Sequence, residues 1–132
     1  MVIICLTFSL KAKAPDYVRV NDVIVCNATE DNMALPSFTG ASCEKTQFYK
    51  FSPYKKQVWV KAGVHVTQEL ADYDQPLGLF LSGKMASKVY LNGVLLGMNG
   101  RPAVRREGEK VGKMDAVLYL HSGQIKAGQN EI

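Results

Sequence analysis

The sequence contains few of the residues and motifs on which catalytic and metal-binding proteins depend. It has two histidines and three cysteines among 132 residues, and no Cys-x-x-Cys pair of the kind that binds zinc. It also lacks a Gly-x-Ser-x-Gly motif, a phosphate-binding glycine loop and a calcium-loop pattern. Nothing beyond their presence supports a pairing of His65 or His121 with a Ser or Cys nucleophile. Glu107, Glu109 and Asp115 lie in a long loop, where no regular element fixes a separation suited to acid–base catalysis. We therefore expect no enzymatic activity, no metal and no cofactor.

Composition and charge indicate one folded domain. Apolar residues make up 47% of the chain and charged residues 21%, which is ordinary for a globular protein and excludes wholesale disorder. The net charge of +4 is mild, with one local basic group at Arg101, Arg105 and Arg106. Because no aromatic residues are interleaved with this group, a solvated basic face explains it better than a nucleic-acid site. We expect no nucleic-acid partner.

The first segment, residues 1–14, has two interpretations. Val2–Leu10 is an apolar run too short to span a bilayer, and the Ala-Lys-Ala triplet at residues 12–14 has the spacing of a signal-peptidase site. No basic region precedes the run, so the segment is either a truncated signal peptide or a first strand. Residues 15–132 are predicted to form a single domain.

The cysteines bear on the cellular compartment. Cys5 lies in the first segment, which leaves Cys26 and Cys43 in the rest of the chain. A disulfide between them would stabilise the fold by about 3 kcal/mol on the chain-entropy estimate. The alternative is two free thiols in a cytosolic protein.

The strongest structural signal is a hairpin centred on Asn92-Gly93. Apolar runs at Val89–Leu91 and Val94–Leu96 flank this pair, and a type I′ turn needs residues that accept positive φ at both central positions. Because both arms are apolar throughout, we expect both faces of the hairpin to be covered or packed on a second sheet.

The other segments also have the pattern of strands. No helical periodicity exceeds two turns, and turn residues separate the short apolar runs. This pattern predicts an all-β fold, an antiparallel β-sandwich. The predicted strands are Tyr17–Cys26, Phe48–Phe51, Gln57–Ala62 with a continuation through Val64 and Val66 towards Leu70, Leu77–Leu81, the two hairpin arms and Ala116–Leu120.

The segment Met98–Lys113 is too long and polar for an ordinary hairpin connection. Loops of this size in a compact domain are usually recognition surfaces or are simply mobile. We expect Asn99 and Arg101 to contact a ligand or a second subunit, with disorder of the loop as the alternative.

Several of these segments together resemble a known superfamily. They are Val58-Trp59-Val60, Pro76–Phe80, Val89–Gly93 with Leu96-Gly97, and Gly128–Ile132. Across residues 48 to 132 the chain resembles a galactose-binding-domain-like jelly roll. With Gly83–Ser87, Asn99–Ala103 and Gly112–Ala116 it looks closest to the extracytoplasmic sensor domain of bacterial membrane-anchored sensor histidine kinases.

The resemblance implies a periplasmic sensory, ligand-binding or protein-interaction module that belongs to a membrane protein. Its partner would be an unidentified small molecule, a sugar, a protein or a second copy in a homodimer. The same superfamily also includes carbohydrate-binding modules of glycoside hydrolases, which is the alternative function. A jelly roll's last strand would extend past Ile132, so we expect the chain to be a fragment of a longer protein.

Five residues are candidates for ligand binding. Sugar recognition combines an aromatic platform with planar polar groups, because a pyranose has a C–H face and a ring of hydroxyls. The residues of these types near the resembling segments are Trp59, Tyr54, Asn99, Arg101 and Asp115. The alternative for Trp59 is packing between sheets, and for Arg101 it is a salt bridge to Glu107 or Asp115.

Overall fold

A computed structural model describes residues 17–28, 35–54, 56–83, 85–121 and 123–132. Its strands are β1 Asp22–Asn27, β2 Cys43–Gln47, β3 Val58–Lys61, β4 Gly63–Val66, β5 Leu77–Leu81, β6 Ser87–Leu91, β7 Val94–Asn99, β8 Ala116–Leu120 and β9 Gly128–Glu131, with one short helix, α1, at Gln68–Ala71. All strand pairs are antiparallel, which confirms the predicted all-β, sandwich-like fold. The predicted signal peptide or first strand at residues 1–14 lies outside the described residues.

One continuous backbone segment joins two of the sheets. β3 pairs with β1 in the sheet β2-β1-β3, and β4 pairs with β9. Ala62 lies between β3 and β4 and exchanges both of its backbone hydrogen bonds with Ile132, so the pairing with β9 begins where the pairing with β1 ends. Val23, Val25 and Ala62 form the buried core at this junction. The predicted strand at Gln57–Ala62 and its continuation through Val66 are therefore confirmed.

Two local predictions are wrong. The predicted edge strand Phe48–Phe51 is a turn, and the edge strand is β2, immediately before it. β2 is polar because it lies at the sheet edge, so its sequence has no apolar alternation. Phe48 and Phe51 instead stack edge to face against the core. Leu70 does not continue β4 but belongs to α1, which begins where the Thr67 hydroxyl accepts a hydrogen bond from the Leu70 amide.

The hairpin of β6 and β7 turns at the predicted pair, with φ of 50° at Asn92 and 81° at Gly93. A register shift beside Tyr90 interrupts the ladder. Of the two arrangements predicted for the hairpin, coverage of both faces is wrong for β7, because Val94 is 65% exposed and Leu95 49% exposed.

β5 and β8 form a two-stranded antiparallel ribbon with an uninterrupted register of five residue pairs. The Leu118 side chain lies over Gly97 of β7, where an added Cβ would be 3.0 Å from it. This contact packs Leu118 of the ribbon on the hairpin. Phe80 and Tyr119 lie on the other face and are 59% and 70% exposed.

The C-terminal strand is held to the hairpin turn by two asparagines. Asn130 is fully buried, and its side-chain oxygen accepts a hydrogen bond of 2.9 Å from the side-chain amide of Asn92. The side-chain oxygen of Asn92 in turn accepts from the Glu131 amide at 2.9 Å. The Asn-Gly turn and the Gly-x-Asn ending therefore form one structural unit, although 38 positions separate the two asparagines.

Candidate functional site

Strands β3, β5 and β6 border a cavity of about 3380 Å³, which we call the trough. Val58–Ala62, Leu77–Leu81 and Ser87–Leu91 supply most of its strand walls, and Tyr73 and Val104 lie at its margins. Its lining is mainly apolar, with a few charged groups such as the ion-paired Lys61 and Glu131, whose Nζ and Oε1 atoms are 2.6 Å apart.

Two strand edges face this trough. Residues from both faces of β5 and of β6 line it, so the backbone edge of each strand borders the open space. Within the described residues β5 pairs only with β8, and β6 pairs only with β7. The trough is also larger than the 300–1,000 Å³ typical of small-molecule pockets. Its dimensions suit an extended ligand or a polypeptide segment.

Trp59 and Tyr54, two of the predicted site residues, line the trough. Trp59 is half-buried, and its ring centroid is 6.4 Å from that of Tyr90 at a tilt of 41°. Tyr54 is 74% exposed. The structure thus places Trp59 where it packs against one aromatic neighbour and borders the cavity, and its contact with a ligand stays a prediction.

The disulfide lies beside this tryptophan. Cys26 and Cys43 are directly opposite on β1 and β2, with Cα atoms 4.0 Å apart, and they are bonded in the structure. Trp59 is directly opposite Cys26 on β3, so all three side chains lie on one face of the sheet. The bond fixes the sheet that holds Trp59.

Asn99 does not occupy a ligand-accessible position. It is 5% exposed, and its side-chain oxygen accepts a hydrogen bond of 2.8 Å from the Lys113 amide. Its side-chain amide donates to the carbonyl oxygens of Lys113 at 2.8 Å and Met85 at 3.4 Å. Because both of its donors and its oxygen are used internally, Asn99 closes the base of the long loop and is not free to bind a ligand in this arrangement.

Arg101 and Asp115 lie on the connection between β7 and β8 and are not among the residues that line the trough. Arg101 is exposed and donates from Nε to the carbonyl oxygen of Gly108 at 2.9 Å. Among the described residues it forms no ion pair with Glu107 or Asp115, so the structure does not contain the predicted salt bridge. Asp115 accepts a hydrogen bond from the Ser82 hydroxyl at 3.1 Å. The five predicted residues therefore divide between the trough and the loop.

The structure adds aromatic residues that the sequence analysis missed. Tyr90 borders Trp59, Tyr73 is 52% exposed at the margin of the trough, and Phe80 and Tyr119 share the outer face of the β5–β8 ribbon. The alternation of side chains between the two faces of β5 and β8 indicates that Phe80 and Tyr119 point outwards. Their proximity depends on the register between strands, which the sequence does not give.

No metal-binding cluster is found in the part of the chain that the structure describes. Those residues contain no group of three or more His, Cys, Asp or Glu side chains that could hold a metal ion. Nor does any helix among them have the length and hydrophobicity to cross a membrane.

Comparison with known proteins does not identify a family. Scans of protein-family models, of curated proteins and of solved structures find no match to this chain. The resemblance to a galactose-binding-like sensor domain therefore stays a prediction from the sequence, and the structure alone establishes the all-β antiparallel fold.

Proposed function

We propose that this chain is a non-catalytic sensory or protein-interaction module of a bacterial membrane signalling protein, and that it lies outside the cytoplasm. The observation that carries the proposal is the trough, where the Trp59–Tyr90 pair and two strands, each with only one pairing partner among the described residues, border one mainly apolar cavity. An extended partner bound there would gain backbone hydrogen bonds from the strand edges and apolar contacts from the lining.

The motif asparagines have structural roles. Asn92, Asn99 and Asn130 belong to the segments that resemble sensor domains, and all three use their side chains for internal hydrogen bonds. These motif positions build the fold, which leaves recognition to the trough and to exposed surfaces.

The disulfide supports an extracytoplasmic location. Disulfides persist in oxidising compartments such as the periplasm and are rare in the cytosol, where thiols are kept reduced. Cys26 and Cys43 are bonded in the structure. We expect protein recovered from the periplasm and alkylated without reduction to leave both cysteines unlabelled. Labelling of both by mass spectrometry would remove this support.

The alternative is a carbohydrate-binding module attached to a glycoside hydrolase. Phe80 and Tyr119 favour it, because they are exposed and diagonally adjacent on the outer face of the β5–β8 ribbon. Flat aromatic faces of this kind can stack on the C–H face of a sugar.

Two exposed tyrosines allow the two functions to be tested with matched variants. Tyr73 lines the trough, whereas Tyr119 does not. The apolar probe anilinonaphthalene sulfonate should bind saturably and quench Trp59, the only tryptophan in the chain. We expect Tyr73→Asp to weaken this binding at least about fivefold, since a charge at the wall opposes apolar burial, and Tyr119→Asp to leave it unchanged.

Neutral oligosaccharides test the alternative in the same assay. If they raise the melting temperature without changing Trp59 emission, and Tyr119→Asp abolishes that rise, the carbohydrate-binding function is supported. If the apolar probe does not bind, or if its binding is insensitive to Tyr73→Asp, the trough is not an accessible binding surface and the proposed function loses its main support.

A further inference from the structure

The loop from Arg101 to Met114, here called the arginine loop, is held in a defined shape at its base. Arg101 and Lys110 exchange both backbone hydrogen bonds, at 2.8 Å and 3.0 Å, and Asn99 binds the Lys113 backbone below them. Arg106–Gly108 forms a 3₁₀ turn in the loop. The backbone of this segment therefore has regular hydrogen-bond partners at both ends.

The arginine loop carries most of the protein's net charge. Residues 101–114 contain five basic and two acidic side chains, a net charge of +3, while the whole chain carries +4. The basic residues are all exposed, and among the described residues none of them forms an ion pair. They are Arg101, Arg105, Arg106, Lys110 and Lys113. Such a concentration of unpaired cations attracts an anionic partner.

Apolar side chains are exposed among these cations. Val104 is 47% exposed, Val111 64% and Met114 65%, on a loop whose base is fixed. Cations interleaved with exposed apolar groups suit a phospholipid surface, where the former meet anionic headgroups and the latter enter the boundary with the acyl chains. A nucleic acid would call for aromatic stacking groups, and residues 101–114 contain none.

We propose that the arginine loop docks on the surface of an anionic phospholipid bilayer. The contact would orient the domain on its membrane. Four of its five cations lie outside the trough lining, whereas Val104, Arg106 and Val111 belong to both surfaces.

Vesicle co-sedimentation of the 132-residue chain tests this proposal. We expect binding to vesicles of phosphatidylcholine mixed with phosphatidylglycerol, weak binding to phosphatidylcholine alone, and loss of binding as salt screens the charges. Reversing two cations by Arg105→Glu with Arg106→Glu should weaken binding at least about 25-fold, at about fivefold for each cation lost. Val104→Asp should also weaken it, by opposing insertion.

The matched control is Lys45→Glu with Lys50→Glu, which changes the net charge equally at exposed positions near β2. It should retain most of the binding. Equal losses in the two double variants would mean that net charge alone drives association, and would overturn the proposal. So would loop-dependent binding to polyglutamate without binding to vesicles, which would indicate an acidic protein partner. Tyr73→Asp should leave vesicle binding intact. A failure of the membrane-docking proposal can therefore be distinguished from a failure of the trough proposal.

Discussion

Replacing Asn130 with Ala should lower the free energy of unfolding by about 3–5 kcal/mol, one of the two largest losses that we expect from a single substitution. The buried side chain accepts hydrogen bonds from Asn92 Nδ2 at 2.9 Å and the Lys126 amide at 3.2 Å. It donates to the carbonyl oxygens of Lys126 at 2.7 Å and Gly128 at 3.2 Å. The alanine variant would leave several polar groups without partners in a buried site, where each costs about 1–3 kcal/mol.

Two further variants make this prediction specific. Asn130→Asp keeps the size and the acceptor oxygen but removes both donors, so it should destabilise about as much as alanine. Gln129→Ala changes an exposed neighbour on the same strand and should stay within about 0.5 kcal/mol of the original protein. Thermal or urea denaturation measures all three. Comparable stability of Asn130→Ala and Gln129→Ala would show that the asparagine network does not hold β9 to the hairpin.

Local turn chemistry explains why parts of this fold could be predicted from the sequence. The Asn92-Gly93 turn follows from which residues accept positive φ, and that turn fixes where the two hairpin arms begin. β5 and β8 have the predicted bounds because uncharged apolar runs with turn residues on either side define them. In each case the signal lies within a few residues of the structure that it specifies.

The rest depends on contacts between distant segments. The sequence of β2 has the composition of a polar connection, because an edge strand needs few apolar side chains. Its pairing with β1 is evident only from the structure. Asn99 was predicted to bind a ligand because its residue type and loop position suit recognition. Its actual partners, Met85 and Lys113, each lie 14 positions away, and no local pattern indicates them.

The trough illustrates the same limit for function. Trp59 and Tyr54 were predicted as site residues from their chemistry, and they do line one cavity. The cavity itself arises from the arrangement of β3, β5 and β6, which the strand pattern does not specify. Residue type therefore indicated two of its members, while Tyr73 and Tyr90 required the structure.

Replacing Gly100 with Ala should disrupt the base of the arginine loop and lower the free energy of unfolding by about 2–5 kcal/mol. The glycine has φ of +69°, and an added Cβ would lie 2.3 Å from the Lys110 carbonyl oxygen and 2.6 Å from the Gly112 nitrogen. These are backbone atoms, so the two backbone hydrogen bonds between Arg101 and Lys110 would have to open to make room.

Gly93→Ala is the control that separates the steric cost of the added Cβ from the cost of placing alanine at positive φ. Gly93 also has positive φ, of +81°, but an added Cβ there meets nothing within 4 Å, so the expected loss is only about 1–2 kcal/mol. Denaturation compares the two variants, and hydrogen exchange at the Arg101 and Lys110 amides locates the change. Because the loop's shape keeps its cations and apolar side chains together, Gly100→Ala should also weaken vesicle binding, whereas Gly93→Ala should not. Equal loss of stability in both variants, with unchanged exchange at Arg101 and Lys110, would mean that the base of the loop is not closely packed.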